Sequence, residues 1–133
     1  MTLDHTIRQA YINTLLDGGF TRLADKTTNP TEGYIVGGLT EATTMELDAV
    51  ATSIAYRDAM QYEDFKELWH KYVMELDANP FPSGLGVGTW IHEGQIYFDL
   101  VQRIYSLDVA TRVAKERGEI AIYDCKNQKD ILL

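Results

Sequence analysis

The side chains that bind metals or attack substrates are sparse in this chain, and their spacing suits neither task. His5, His70 and His92 share no ligand spacing, and none forms a helical pair at i and i+4 of the kind that holds zinc. They read as surface residues. Cys125 is the single cysteine. It opens a polar turn, Cys125-Lys126-Asn127-Gln128, with a cation beside it that favours a thiolate but no histidine base following it. An incidental turn cysteine is expected. No serine stands in a glycine-flanked elbow. Gly84, Gly86 and Gly88 alternate, but they lack the lysine and hydroxyl of a phosphate loop and lead into a strand pattern. A bend or bulge there is the expectation.

Carboxylates are more plentiful. Glu63 and Asp64 are neighbours, and on a helix neighbours diverge by about 100°, so they are no catalytic dyad. Glu93 and Asp99 form a second pair. Asp99 shares a strand face with Tyr97 and has two readings: a general acid or base, or a carboxylate that is solvated or holds a nearby backbone group. The second is expected. Among the aromatics, Trp90, Tyr97, Tyr105 and Tyr123 lie on or near strands. Such rings can stack on bases. Too few cations accompany them here, so core and sheet-surface packing is expected. The chain is therefore read as non-enzymatic, with no metal or organic cofactor.

The elements that would position these residues follow from periodicity. Leu3, Ile7, Ala10, Tyr11, Thr14 and Leu15 mark a helical face that Gly18-Gly19 ends. Phe20 to Ala24 and Tyr34 to Val36 read as strands, expected to form a long-looped hairpin around the turn chemistry of residues 25–33. Thr43 to Glu46 reads as a capping box, with Leu47, Val50, Ala51, Ile54 and Ala55 as the stripe of the helix it would start. A second helix is predicted from Tyr62 to Leu76, with Tyr62, Phe65, Trp69, Tyr72, Val73 and Leu76 inward. Asn79 to Gly84 stops it. Residues 87–105 read as a β-hairpin turning at Glu93-Gly94. A helix over 107–117, capped by Ser106, follows, then a strand over 119–124 expected beside that hairpin, and a short pairing run from Ile131. The fold class is α+β: an antiparallel sheet of roughly four to six strands, helices on one face, and a C-terminal β-β-α-β unit. At 133 residues, 45% of them hydrophobic, one globular domain over 1–133 is expected.

Charge bears most on function. The net charge is −8, from 20 acids and 12 bases. That balance disfavours direct contact with nucleic acid or an anionic membrane. Residues 41–80 hold nine of the acids and three of the bases, net −6, whereas residues 1–40 and 81–133 are each net −1. The second helix should turn Glu63, Asp64, Glu67, Glu75 and Asp77 outward, and these are the candidate partner-binding residues. The start of the chain has no basic, apolar leader, and no apolar run nears the roughly 20 residues of a membrane span, so a cytoplasmic setting is expected.

Several stretches also carry a resemblance. Gly88-Thr89-Trp90-Ile91 is followed by Glu93-Gly94-Gln95-Ile96-Tyr97-Phe98-Asp99, the helix from Leu107 to Ala114, and Gly118-Glu119-Ile120-Ala121-Ile122-Tyr123-Asp124. With Gly18-Gly19-Phe20-Thr21 and Gly33-Tyr34-Ile35-Val36, they resemble a small-protein family common in bacteriophages and phage-derived elements of bacterial genomes. That family has no assigned activity. The resemblance implies a phage setting, in the host cytoplasm or on the virion, and no functional residues. Together with the charge, it leads to an expected function: a phage accessory protein that binds a protein, such as a host nucleic-acid-binding defence factor, through an acidic surface. A structural or assembly part of the phage particle is the alternative, and an enzyme with an unfamiliar site the second.

Overall fold

A computed structural model describes residues 3–46, 54–78 and 84–133. Helix α1 (Leu3–Asp17) buries Ile7, Ala10, Tyr11 and Thr14 along the expected stripe. Thr14 is polar on an apolar face, and its hydroxyl is satisfied by the Ala10 carbonyl at 2.7 Å and the Thr89 hydroxyl at 2.6 Å. Gly18, at φ +82°, ends the helix in the left-handed region and donates its N–H to Thr14 O.

Strand β1 (Gly19–Leu23) follows, then β2 (Tyr34–Val36) and β3 (Thr43–Glu46). Helix α2 (Ile54–Ala78) leads to the hairpin of β4 (Leu85–His92) and β5 (Gln95–Ile104). Helix α3 (Leu107–Glu116), β6 (Ala121–Asp124) and β7 (Lys129–Leu132) complete the described chain. The seven strands form one antiparallel sheet in the order β1-β4-β5-β2-β6-β7, with β3 also paired to β5. Glu93 and Gly94, both at positive φ, make the tight β4–β5 turn.

Strand alternation sorts the two faces. Leu85 and Val87 of β4 and Ile96, Phe98 and Leu100 of β5 pack with α1 and α2 in the main core. Phe65 sits at its centre, 5.0 Å from Tyr11, 5.9 Å from Trp69 and 5.1 Å from Phe98 between ring centroids. Helix α3 packs Ala110 and Ala114 against Val36 and Ile122 on that same face. Its start is capped as expected, the Ser106 hydroxyl accepting from Val109 N–H at 3.3 Å. The opposite face carries Trp90, His92, Tyr97 and Asp99 at alternate positions, and a small cluster of Ile35, Val101 and Cys125.

The α+β fold with helices on one side of an antiparallel sheet, and its β-β-α-β ending, are as the sequence indicates; four local expectations are corrected. First, β1 and β2 do not form a hairpin. The linker folds back on β1, with Leu23 N–H donating to Thr27 O and Asn29 N–H to Thr21 O. That occupies one edge of β1 while β4 holds the other, so β2 pairs instead with β5 and β6. Second, β6 does not lie beside the β4–β5 hairpin, because β2 stands between them. Third, residues 43–46 are a strand rather than a helix start. The amino half of β5 needs an edge partner, and the Thr43 hydroxyl bonds the Tyr72 hydroxyl at 2.7 Å instead of capping. Leu47, Val50 and Ala51 lie outside the described residues, while Ile54 and Ala55 belong to α2, which starts eight residues before Tyr62. Fourth, the described residues hold seven strands, above the expected four to six.

Candidate functional site

The acids singled out in the sequence are positioned by the burial of α2. Tyr62, Phe65, Trp69, Tyr72 and Leu76 are buried, which fixes the opposite arc of the helix toward solvent. Glu63, Asp64 and Glu67 are exposed there. With Lys66, His70 and Ile7 they line a depression of about 430 Å³ between α1 and α2. Asp77 is exposed in the last turn of the helix. Glu75 differs: it is half-buried and engaged with a neighbour. Lys66 is likewise engaged, and Lys71 is exposed among the acids.

Strand β3 and the residues before it run beside α2. Thr43 N–H donates to the Tyr72 hydroxyl at 3.1 Å, and Gln61 Nε2 donates to the Glu46 carbonyl at 2.7 Å. The segment is thereby held along the flank of α2, with the Glu41 and Glu46 side chains exposed. Glu46 stands opposite Gln95 in the ladder, and the alternation turns its side chain to the face away from the helices. The signal for this strand is β-branching at Thr43 and Thr44 with period-two alternation through Met45.

A second cluster surrounds Asp99. Its β5 neighbours pair with β3 up to Phe98 and with β2 from Gln102, so Asp99 occupies the gap between those two strands. There its Oδ2 accepts from Gly38 N–H at 2.8 Å, while Oδ1 is sealed from solvent with no hydrogen-bond partner among the described residues. Gly37 lies close against the cluster: a Cβ there would collide with Asp99 Oδ2 and come within 2.6 Å of Glu119 Oε1. Arg117 closes the cluster, donating to Gly37 O at 3.3 Å and to Gln102 Oε1 at 2.8 Å. Burial pushes the Asp99 carboxyl up to about 6, the Glu119 charge adding to the effect and the Gly38 hydrogen bond and Arg117 opposing it. Burial also raises Glu119, against the pull of Arg117. Asp99 thus ties the loop after β2 to the sheet, the backbone-holding role expected for it.

The remaining candidates are placed as follows. Trp90 stacks on His92 at 5.1 Å and meets Tyr97 at 5.2 Å, forming a partly exposed aromatic patch on the face away from the helices. His92 lies 3.7 Å from Glu93. Cys125 is in its expected turn, but its side chain is buried against Ile35 and Val101, and burial pushes the thiol up to about 11. Asp124 organises that turn, accepting from Asn127 Nδ2 at 2.7 Å and from the N–H groups of Lys126 and Asn127. Those bonds, led by the Asn127 side chain, hold its carboxyl below the usual range. Among the described residues no group of three or more His, Cys, Asp or Glu could hold a metal ion, and no helix is long and apolar enough to cross a membrane.

No protein family, curated protein or solved structure matches this chain.

Proposed function

We propose that this chain is a phage-associated, non-enzymatic protein that binds a partner protein through the acidic surface of α2. The observation that carries this reading is the exposure of Glu63, Asp64 and Glu67 together on the outer arc of α2, where they line one depression. Such a surface suits a cationic groove, the kind that also receives nucleic-acid phosphates, since dense negative charge steers association with it. The partner class is a host nucleic-acid-binding protein, met in the host cytoplasm. The phage setting rests on the sequence resemblance.

A structural or assembly role in the phage particle is the second reading. It draws on exposed apolar side chains at the other end of the sheet, Ile120 and Leu132. An enzymatic role draws least support, because the most perturbed carboxylate, Asp99, turns one oxygen to a backbone N–H and has the other enclosed.

The test is capture from bacterial lysate by the tagged wild type and by a Glu63→Lys, Asp64→Lys, Glu67→Lys variant with an unchanged circular-dichroism spectrum. Glu75 is left in place because it is half-buried and engaged. A partner retained by the wild type, lost by the variant and released by salt supports the reading, because exposed charges are screened over about 8 Å at physiological ionic strength. Equal capture by both proteins refutes it.

A further inference from the structure

We propose that two copies of this chain associate through β7, joining their sheets across a twofold axis. An open backbone edge, exposed apolar surface and balanced charge coincide there. On one side β7 pairs with β6; on the other, no strand among the described residues covers it. Leu133 N–H donates to Ile120 O at 3.0 Å, which sets the alternation of the ladder. Ile131 and Lys129 therefore direct their backbone groups toward β6, and Asp130 and Leu132 direct theirs outward. A bare edge of this kind is a template for another strand.

The side chains suit the same contact. Leu132 is 81% exposed and Ile120 66% exposed. Beside β7, the groove against α3 has a volume of about 630 Å³ and is lined by Leu107, Ile131 and Leu132. Its rim carries two acids, Asp108 and Glu116, and two bases, Arg112 and Lys115. Charge selects the occupant. Residues 107–133 hold five acids and five bases, so the whole net charge of −8 resides in residues 1–106. Two copies repel through most of their surface, and the neutral end is where they can meet.

The geometry is self-complementary, as a twofold interface requires. An antiparallel β7–β7 pair centred on Ile131 places Asp130 of each copy opposite Leu132 of the other, so the outward N–H and carbonyl groups bond in both directions. It also sets the α3 grooves side by side, where acids of one helix meet bases of the other. The acidic surface of α2 stays free in both copies, and this association does not depend on its role.

Sedimentation equilibrium of the full chain, at about 10 and 100 µM to sample mass action, decides the matter. The expected mass at the higher concentration is twice the 15.1 kDa of one chain. Asp130→Pro removes an outward N–H without touching the β6 ladder, and Leu132→Asp puts charge into the contact. Both variants should keep the wild-type circular-dichroism spectrum and sediment as single chains. A wild type of single-chain mass at the higher concentration, or a dimer that survives in both folded variants, overturns the proposal. So does a concentration-dependent series of larger species, which would mean a partner surface elsewhere on the chain.

Discussion

Replacing Asp99 by asparagine should stabilise the protein at neutral pH. The folded carboxyl keeps its proton up to about pH 6. In the unfolded chain it releases the proton near about 3.9. Between those values the folded state binds more protons, so the contribution of Asp99 is fully present below the unfolded pKa and lost as pH rises through the folded one. A separation of about two units corresponds to about 2.7 kcal/mol. The carboxyl is only half-buried, and solvent screening reduces this to about 1–2 kcal/mol. Asparagine retains an acceptor for Gly38 N–H and carries no charge to desolvate. The assay is urea unfolding of both proteins at about pH 3.5, 6 and 8, read as the difference between them so that other titrating groups cancel. The difference should be small at the acid end and grow to about 1–2 kcal/mol in favour of Asp99→Asn at the alkaline end. A variant less stable than wild type at alkaline pH would refute the reasoning. It would mean that the attraction of Arg117 outweighs the burial of the charge.

Two further changes probe the core and the thiol. Trp69 is 4% exposed, with its ring 5.7 Å from Phe20 and 5.9 Å from Phe65. Trp69→Ala should cost about 3–5 kcal/mol in chemical denaturation, and an unchanged midpoint would contradict the packing of α2. Cys125→Ser should leave partner binding intact while costing about 1–2 kcal/mol for a hydroxyl buried among Ile35 and Val101. In the native wild type the same thiol should resist iodoacetamide and react only after unfolding; rapid native labelling would show that it is accessible.

The sequence was most legible where one amphipathic pattern met one partner. The α1 stripe, the α2 stripe from Tyr62 to Leu76 and the Gly94 turn of the hairpin each depend on neighbours close in sequence, and each is observed. Strand pairing was less legible, because it depends on competition for edges. Nothing local to Tyr34-Ile35-Val36 records that Thr27 and Asn29 have already filled the edge of β1. Thr43 to Glu46 satisfies the capping-box pattern, yet the hydroxyl of Tyr72, far along the chain, takes the role of partner. Of the candidate site, Glu63, Asp64 and Glu67 were legible from helical period alone. The strand at Thr43 to Glu46 was not, since it depends on pairing with β5. The Asp99 cluster was half legible. The residue and its backbone-holding role followed from its strand position, but Glu119 and Arg117 come from a loop beyond α3 that the register alone sets beside Gly37.

The central claim is that the acidic surface occupies a cationic groove otherwise used by nucleic acid. Its most direct test is competition: a captured partner is loaded with a fluorescent DNA duplex and titrated with this protein while anisotropy is followed. The account predicts full displacement of the duplex by the wild type and none by the Glu63→Lys, Asp64→Lys, Glu67→Lys variant. A ternary complex, with duplex and protein bound to the partner together, would contradict it.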